Sequence, residues 1–283
     1  MTPGPEGKDL FSFGKEQRRK TIHDNAQKIR KFLPVAEGKI RGGYYTWVDS
    51  RLDRSGGYKQ ASFFETFEGV IPKNYNNLQG YIEDALDSKA GHAVGVEFGG
   101  PGSNLFSDFT PGFFEESFGT TLIDHRDPIK DVGYFERDKE THHTVIEGDI
   151  LKPHIYRSIQ KALNGRKADL IIERMGKGLE FIPTEPYFIS DWVQLWYELL
   201  AERGLMLIQT PVVFNGLLKP WAEMLKEKYG NTLDPEYTIG VADDEIPSST
   251  LRLRKIPGAP AELPMLDPWT VRKISKGQTT KEV

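Results

Sequence analysis

From Tyr75 onward the chain is paced by short apolar runs that read as buried strands, at Ala93–Val96, Thr121–Ile123, Thr144–Ile146, Ala168–Ile172 and Leu205–Ile208. Runs this short, mostly apolar and separated by room for a crossover, belong in a parallel sheet with helices on both faces. Helical patterns fit at Asn76–Ser88, Pro153–Leu163, Pro186–Arg203 and Leu217–Lys228. The strongest is Pro186–Arg203, with Thr184 as N-cap, a stripe of Phe188, Ile189, Trp192, Leu195, Trp196 and Leu199, and Gly204 as the stop. Two last strands, Tyr237–Val241 and Thr250–Ile256, flank a turn-rich segment and lie close enough in sequence to pair antiparallel.

The ends differ from this middle. Residues 1–74 read as a helical and aromatic-rich extension, with a helix at Lys15–Leu33 stopped by Pro34 and seven aromatics between Tyr44 and Phe67. Residues 75–256 form the expected main domain, and 257–283 a draped or mobile tail. Residues 1–60 carry 13 Lys/Arg against 7 Asp/Glu, while the whole chain has a net charge of -4. A basic arm of this kind suits an anionic partner such as RNA or protein, though a solvated helix face has the same composition. No window reaches the apolar length of a membrane span, so no membrane partner and a cytoplasmic location are expected. The chain has no cysteine, which removes disulfides, thiolate metal sites, iron–sulfur clusters and cysteine nucleophiles.

Chemistry concentrates at the end of the first strand, in Glu97-Phe98-Gly99-Gly100-Pro101-Gly102. Three glycines in four positions allow positive φ and a backbone that approaches a ligand with no Cβ in the way. A carboxylate just before such a turn suits a cationic or hydroxylated ligand and repels a pyrophosphate. The dinucleotide fingerprint is also incomplete, because Leu105 stands where its third glycine belongs.

The acidic residue before the loop, together with the antiparallel pair after five parallel-type strands, resembles the class I S-adenosylmethionine-dependent methyltransferases. The resemblance covers Tyr75–Ile256. It implies a Rossmann-like, mostly parallel seven-stranded α/β sheet with an antiparallel C-terminal hairpin strand, and S-adenosylmethionine as cofactor. Under it Asp124 holds the ribose hydroxyls, while Asp149, with Ile150 beside it, lies near the adenine. Glu97, Phe98, Gly99, Gly100, Pro101 and Gly102 form the cofactor loop, and Ala168–Arg174 is the fourth strand, bordering both cofactor and substrate. Glu97, Asp124, Asp149 and Glu173 recur at steps of 24 to 27 residues, one strand plus one crossover, which puts all four at the carboxyl edge of the sheet. Alone, each Asp reads more readily as a turn former or helix cap. Pro101 departs from the alternating glycines of the common loop, and the polar crossover Arg126–His143 predicts a short helix or none.

Methyl transfer is an in-line displacement that needs alignment and, for some acceptors, a base. Glu173 is the nominated base, with His125 or His154 behind it. Ile172-Glu173-Arg174-Met175 is not the motif of the adenine- or glutamine-methylating branches, and thiol-dependent cytosine methylation is excluded. The fifth strand ends Gln209-Thr210-Pro211, which gives no support to a metal. The aromatic extension and the loop Gly176–Thr184 are the expected walls of the acceptor site, slightly favouring a small molecule. The rival readings are a non-catalytic Rossmann-like scaffold and a nicotinamide oxidoreductase.

Overall fold

The computed structural model describes residues 63–279, less 122–123, 125, 127–128, 149, 151–152, 174–185, 212–213 and 240–247. The helix expected at Lys15–Leu33, the aromatic stretch before residue 63 and the Gly176–Thr184 loop lie outside the described residues, as do Asp149, His125 and Thr184.

The described elements run α1 (Phe63–Phe67), α2 (Leu78–Ala85), β1 (Ala93–Phe98), α3 (Ser103–Ser107), β2 (Phe114–Thr121), α4 (Val132–Glu140), β3 (His143–Glu147), α5 (Pro153–Ala162), β4 (Ala168–Glu173), α6 (Pro186–Leu199), β5 (Leu200–Pro211), α7 (Asn215–Tyr229), β6 (Leu233–Ile239), β7 (Ser248–Lys255) and α8 (Pro268–Thr279). The seven strands form one sheet in the order β3-β2-β1-β4-β5-β7-β6. β1 to β5 pair in parallel, and β7 is antiparallel to both β5 and β6. This is a mostly parallel, Rossmann-like α/β sheet with antiparallel C-terminal strands.

The central strands explain why the sheet forms. Every residue of β1 and β4 is buried, because helices cover both faces. Along β1 the side chains alternate: Val94, Val96 and Phe98 join a core built with α5, α6, α7 and the C-terminal segment, while Ala93 joins a second core with α1, α2 and α3. A Cβ on Gly95 would sit 2.1 Å from the Phe106 ring, so the glycine lets α3 lie flat against the strand. Each large aliphatic or aromatic side chain buried this way contributes about 1.5–3 kcal/mol.

Several boundaries differ from expectation. The second strand, expected at Thr121–Ile123, begins earlier, at Phe114, and is described through Thr121, with 122 and 123 outside the described residues. Its Glu115, Glu116 and Ser117 hide the signal, since pairing to β1 and β3 rather than side-chain hydrophobicity makes it a strand. The Arg126–His143 crossover does hold a nine-residue helix, α4, anchored by its buried Asp138. Helix α6 ends at Leu199 rather than Arg203, and Gly204 lies inside β5. Lys255 donates to the carbonyls of Tyr197 and Leu200, both at 2.8 Å, and so caps α6 from the last strand. Residues 201–204 then bulge out of the β4 ladder, with Arg203 at φ 65°.

Both flanking segments pack on the sheet. Phe64, Phe67, Val70 and Ile71 are buried in the second core, ahead of residue 75. At the other end, Leu263 and Leu266 donate backbone N–H groups to Gln194 and Ser190 of α6, and Tyr197 and Trp221 donate to the carbonyls of Pro260 and Pro264. The tail through α8 is therefore a packed layer, with Leu263, Leu266 and Ile274 in the core.

Candidate functional site

Parallel pairing brings the carboxyl ends of β1 to β4 to one edge, with Glu97 facing Gly119 and Ile172, Phe98 facing Glu173, and Thr121 facing Glu147. At this edge the chain after β1 folds back over β2. The Gly99 N–H donates to the Thr120 carbonyl at 3.0 Å, and the Thr120 hydroxyl returns a bond to the Glu97 carbonyl at 3.1 Å. Gly99 and Gly102 both take positive φ, 86° and 78°. A Cβ on Gly100 would lie 2.5 Å from Glu97 Oε1, so the buried carboxylate rests directly on the loop backbone.

Sequence reading missed what holds this loop down. A Cβ on Gly119 of β2 would stand 1.7 Å from the Pro101 carbonyl oxygen, so the loop's close approach depends on a glycine in the neighbouring strand. His143, the first residue of β3, bonds the same Pro101 oxygen through Nε2 at 2.6 Å and Ser117 Oγ through Nδ1 at 2.7 Å. Since a carbonyl only accepts, these partners assign the proton to Nε2, and Nδ1 accepts from the Ser117 hydroxyl. Burial pushes the His143 imidazole below its ordinary value, which keeps it in this neutral form against the opposing hydrogen bond to Pro101. The only local signal was a lone glycine and a lone histidine, in strands 17 and 41 residues after Gly102.

Asp124 follows β2 and donates its backbone N–H to Glu147 Oε1 at 2.9 Å. Its carboxylate takes the Arg126 guanidinium, with Nε to Oδ1 at 2.9 Å and Nη2 to Oδ2 at 2.7 Å. Arg126 also bonds Ser103 Oγ at 2.9 Å and Asp138, and stacks over the Phe135 ring. Burial works against the charge on Arg126, but the bonds to Asp124 and Asp138 outweigh it and hold the guanidinium above its ordinary value.

The other nominated residues sit as follows. Phe98 is fully buried and stacks on Trp196 at 5.1 Å, so its side chain belongs to the core and only its backbone borders the loop. Ile150 is half-buried, and its carbonyl accepts from the Tyr156 hydroxyl, which in turn accepts from Trp192 Nε1 at 2.8 Å. That relay ties the segment after β3 to α5 and α6. Glu173 ends β4 fully buried, in register with Phe98 and so on the face of α5 to α7, opposite to Glu97. His154 is exposed on α5. Among the described residues, no three His, Asp or Glu side chains are grouped to hold a metal ion, and no helix is long and apolar enough to cross a membrane.

The described charges at this edge include the carboxylates of Glu97, Asp124, Glu147 and Asp138, set against two guanidinium groups: Arg126, paired with Asp124 and Asp138, and Arg137, bonded to Asn104. Such a field favours a cationic or hydroxyl-bearing ligand over a polyphosphate.

No family model matches the chain, and no curated protein matches it. Among solved structures it is similar to an rRNA methylase from Streptococcus thermophilus, at 11% identity over 63% of this chain and 96% of that one, with a TM-score of 0.41. It is similar to a Streptococcus mutans protein in complex with SAH, at 12% identity over 62% and 95%, with a TM-score of 0.42. A precorrin 8w decarboxylase from Methanobacterium thermoautotrophicum also aligns, at 14% identity over 66% and 94%, with a TM-score of 0.37. The fold itself rests on the strand order and directions of this sheet.

Proposed function

We propose that this chain, whose sheet has the class I methyltransferase fold, binds S-adenosylmethionine at the carboxyl edge and transfers its methyl group by direct displacement to an oxygen, nitrogen or activated carbon. One observation carries the proposal: the Gly99–Gly102 loop lies back over β2 through positions where a Cβ has no room, with the carboxylates of Glu97 and Asp124 at the same edge. A cradle closed to side chains fits a ligand approached by backbone, and its acidic surroundings fit a sulfonium and a ribose diol. The residues assigned to the cofactor are Glu97, Phe98 by its backbone, Gly99, Gly100, Pro101, Gly102, Asp124, Asp149 and Ile150.

When bound, S-adenosylmethionine supplies an electrophilic methyl group; the acceptor's lone pair forms the new bond as the carbon–sulfur pair returns to sulfur. The chain's part is to hold and align. The His143–Pro101 bond fixes the loop, Asp124 accepts from hydroxyls, and Glu173, at the end of β4, is the group assigned to take the acceptor's proton where one must leave. No metal enters this scheme. The acceptor is assigned to a small molecule ahead of RNA or protein, and the chain to the cytoplasm.

Calorimetric titration with S-adenosylmethionine, S-adenosylhomocysteine and NAD separates this reading from its rivals. The expected result is micromolar affinity for the first two, none for NAD, and loss of binding in Asp124→Ala. Preference for NAD sinks the proposal in favour of an oxidoreductase. Incubating the protein with methyl-labelled cofactor and separated lysate pools then tests turnover: label entering small molecules, RNA or protein names the acceptor class, and binding with no transfer to any pool points to a scaffold.

A further inference from the structure

Arg126 sits between two carboxylates and makes unequal use of them. Toward Asp124 it presents the fork of Nε and Nη2, and the Arg126 backbone N–H adds a bond to Asp124 Oδ1 at 3.1 Å, which closes a turn around the same carboxylate. Toward α3 and α4 it presents Nη1, which reaches Ser103 Oγ and Asp138 Oδ2; Ser103 Oγ itself donates to Asp138 Oδ2 at 3.1 Å. The face of the guanidinium rests on the Phe135 ring, 4.7 Å from its centroid. The side chains of Arg126 and Asp138 are 8% and 10% exposed, and that of Asp124 17%. The three-residue unit thus turns its most accessible member, a carboxylate, outward, and keeps the cation behind it. Two carboxylates share one guanidinium.

We propose that Arg126 is a positioning residue for nucleoside recognition: anchored on Asp138 and Ser103, it locks the Asp124 carboxylate in the one orientation in which it accepts from a ribose diol. The inference rests on the cofactor reading above and adds the group that acts through Asp124. Selectivity for the sugar then depends on α4, an element that sequence patterning makes short or absent, because Asp138 holds the guanidinium from that helix. A carboxylate left to rotate meets a diol in many orientations; one clamped by a fork and a backbone bond meets it in the bound one.

The test compares S-adenosylhomocysteine with its 2′-deoxyribose counterpart by calorimetry on the full chain. Wild type is expected to prefer the ribose form by about tenfold or more, the scale of a hydrogen bond to a charged group. Arg126→Lys keeps the charge and loses the fork; its preference is expected to fall to about twofold while affinity for the deoxy ligand stays near wild type, a split that a general loss of structure does not produce. Arg126→Gln with Asp138→Asn replaces the ion pair by an amide pair, is expected to lose the preference as well, and decides the matter if the lysine variant fails to fold. Unchanged preference in the variants that fold, or a wild type that binds both ligands equally, overturns the inference alone. A wild type that binds neither overturns it together with the cofactor reading.

Discussion

The carboxyl edge of this sheet has two halves held by different physics. On the side of β1, β2 and β3, the loop and strand ends are fixed by polar contacts and by absent side chains: His143, held by Ser117, on Pro101, Arg126 on Asp124, and Gly119 beneath the loop. On the side of β4, β5 and α6, Phe98, Trp192, Trp196 and Tyr156 pack in a continuous aromatic core. Hydrogen bonds and steric fit are directional and small in net energy, whereas burial is non-directional and large. The first half is therefore where geometry is set, and the second is where stability is stored.

That contrast breaks if damage to the aromatic half and damage to the polar half act alike. The largest effect is expected from Trp196→Ala, which removes a fully buried ring and lowers unfolding stability by about 3–5 kcal/mol in denaturant titration. Affinity of the molecules that stay folded should be unchanged. Gly119→Ala comes next: its methyl group meets the Pro101 carbonyl, the loop must lift, and ligand affinity is expected to drop by up to about 100-fold, with about 1–3 kcal/mol of overpacking. If Gly119→Ala binds S-adenosylhomocysteine as well as wild type, the loop does not position the ligand. Ser117→Ala removes one buried hydrogen bond and should lower stability by about 1 kcal/mol.

The smallest effect is one of pH. Burial lowers the His143 value in the folded chain, so folding favours the neutral ring. Its contribution is then fully present above the unfolded value, about 6.5, and is lost as pH falls through and below it. Melting temperatures taken from pH 8 to pH 5 should fall more steeply for wild type than for His143→Gln, whose amide can still donate to Pro101. Equal slopes would show that the ring does not titrate against the fold.

What was legible in the sequence follows the same division. β1 and β4 were readable because burial on both faces forces a mostly apolar run, and the Glu97–Gly102 loop because its glycines are clustered in the chain. The start of β2 was missed because Phe114-Glu-Glu-Ser-Phe-Gly-Thr-Thr becomes a strand through its neighbours. The end of α6 was misplaced because Lys255, more than fifty residues later, supplies its cap. Gly119 and His143 were invisible for a related reason: each matters through a partner brought close only by the fold, and Arg126, though two residues from Asp124, takes its anchors Ser103 and Asp138 from the fold. Tail packing on α6 and α7 likewise depends on backbone bonds that composition does not encode.

Amide hydrogen exchange with and without saturating S-adenosylhomocysteine tests the division most directly, because it reports protection segment by segment. Added ligand is expected to slow exchange across residues 97–106 and the end of β2, and to leave the aromatic core of α6 as it was. Protection confined to α6 and β5, or no change anywhere in the chain, would contradict a ligand site set by the polar half of the edge.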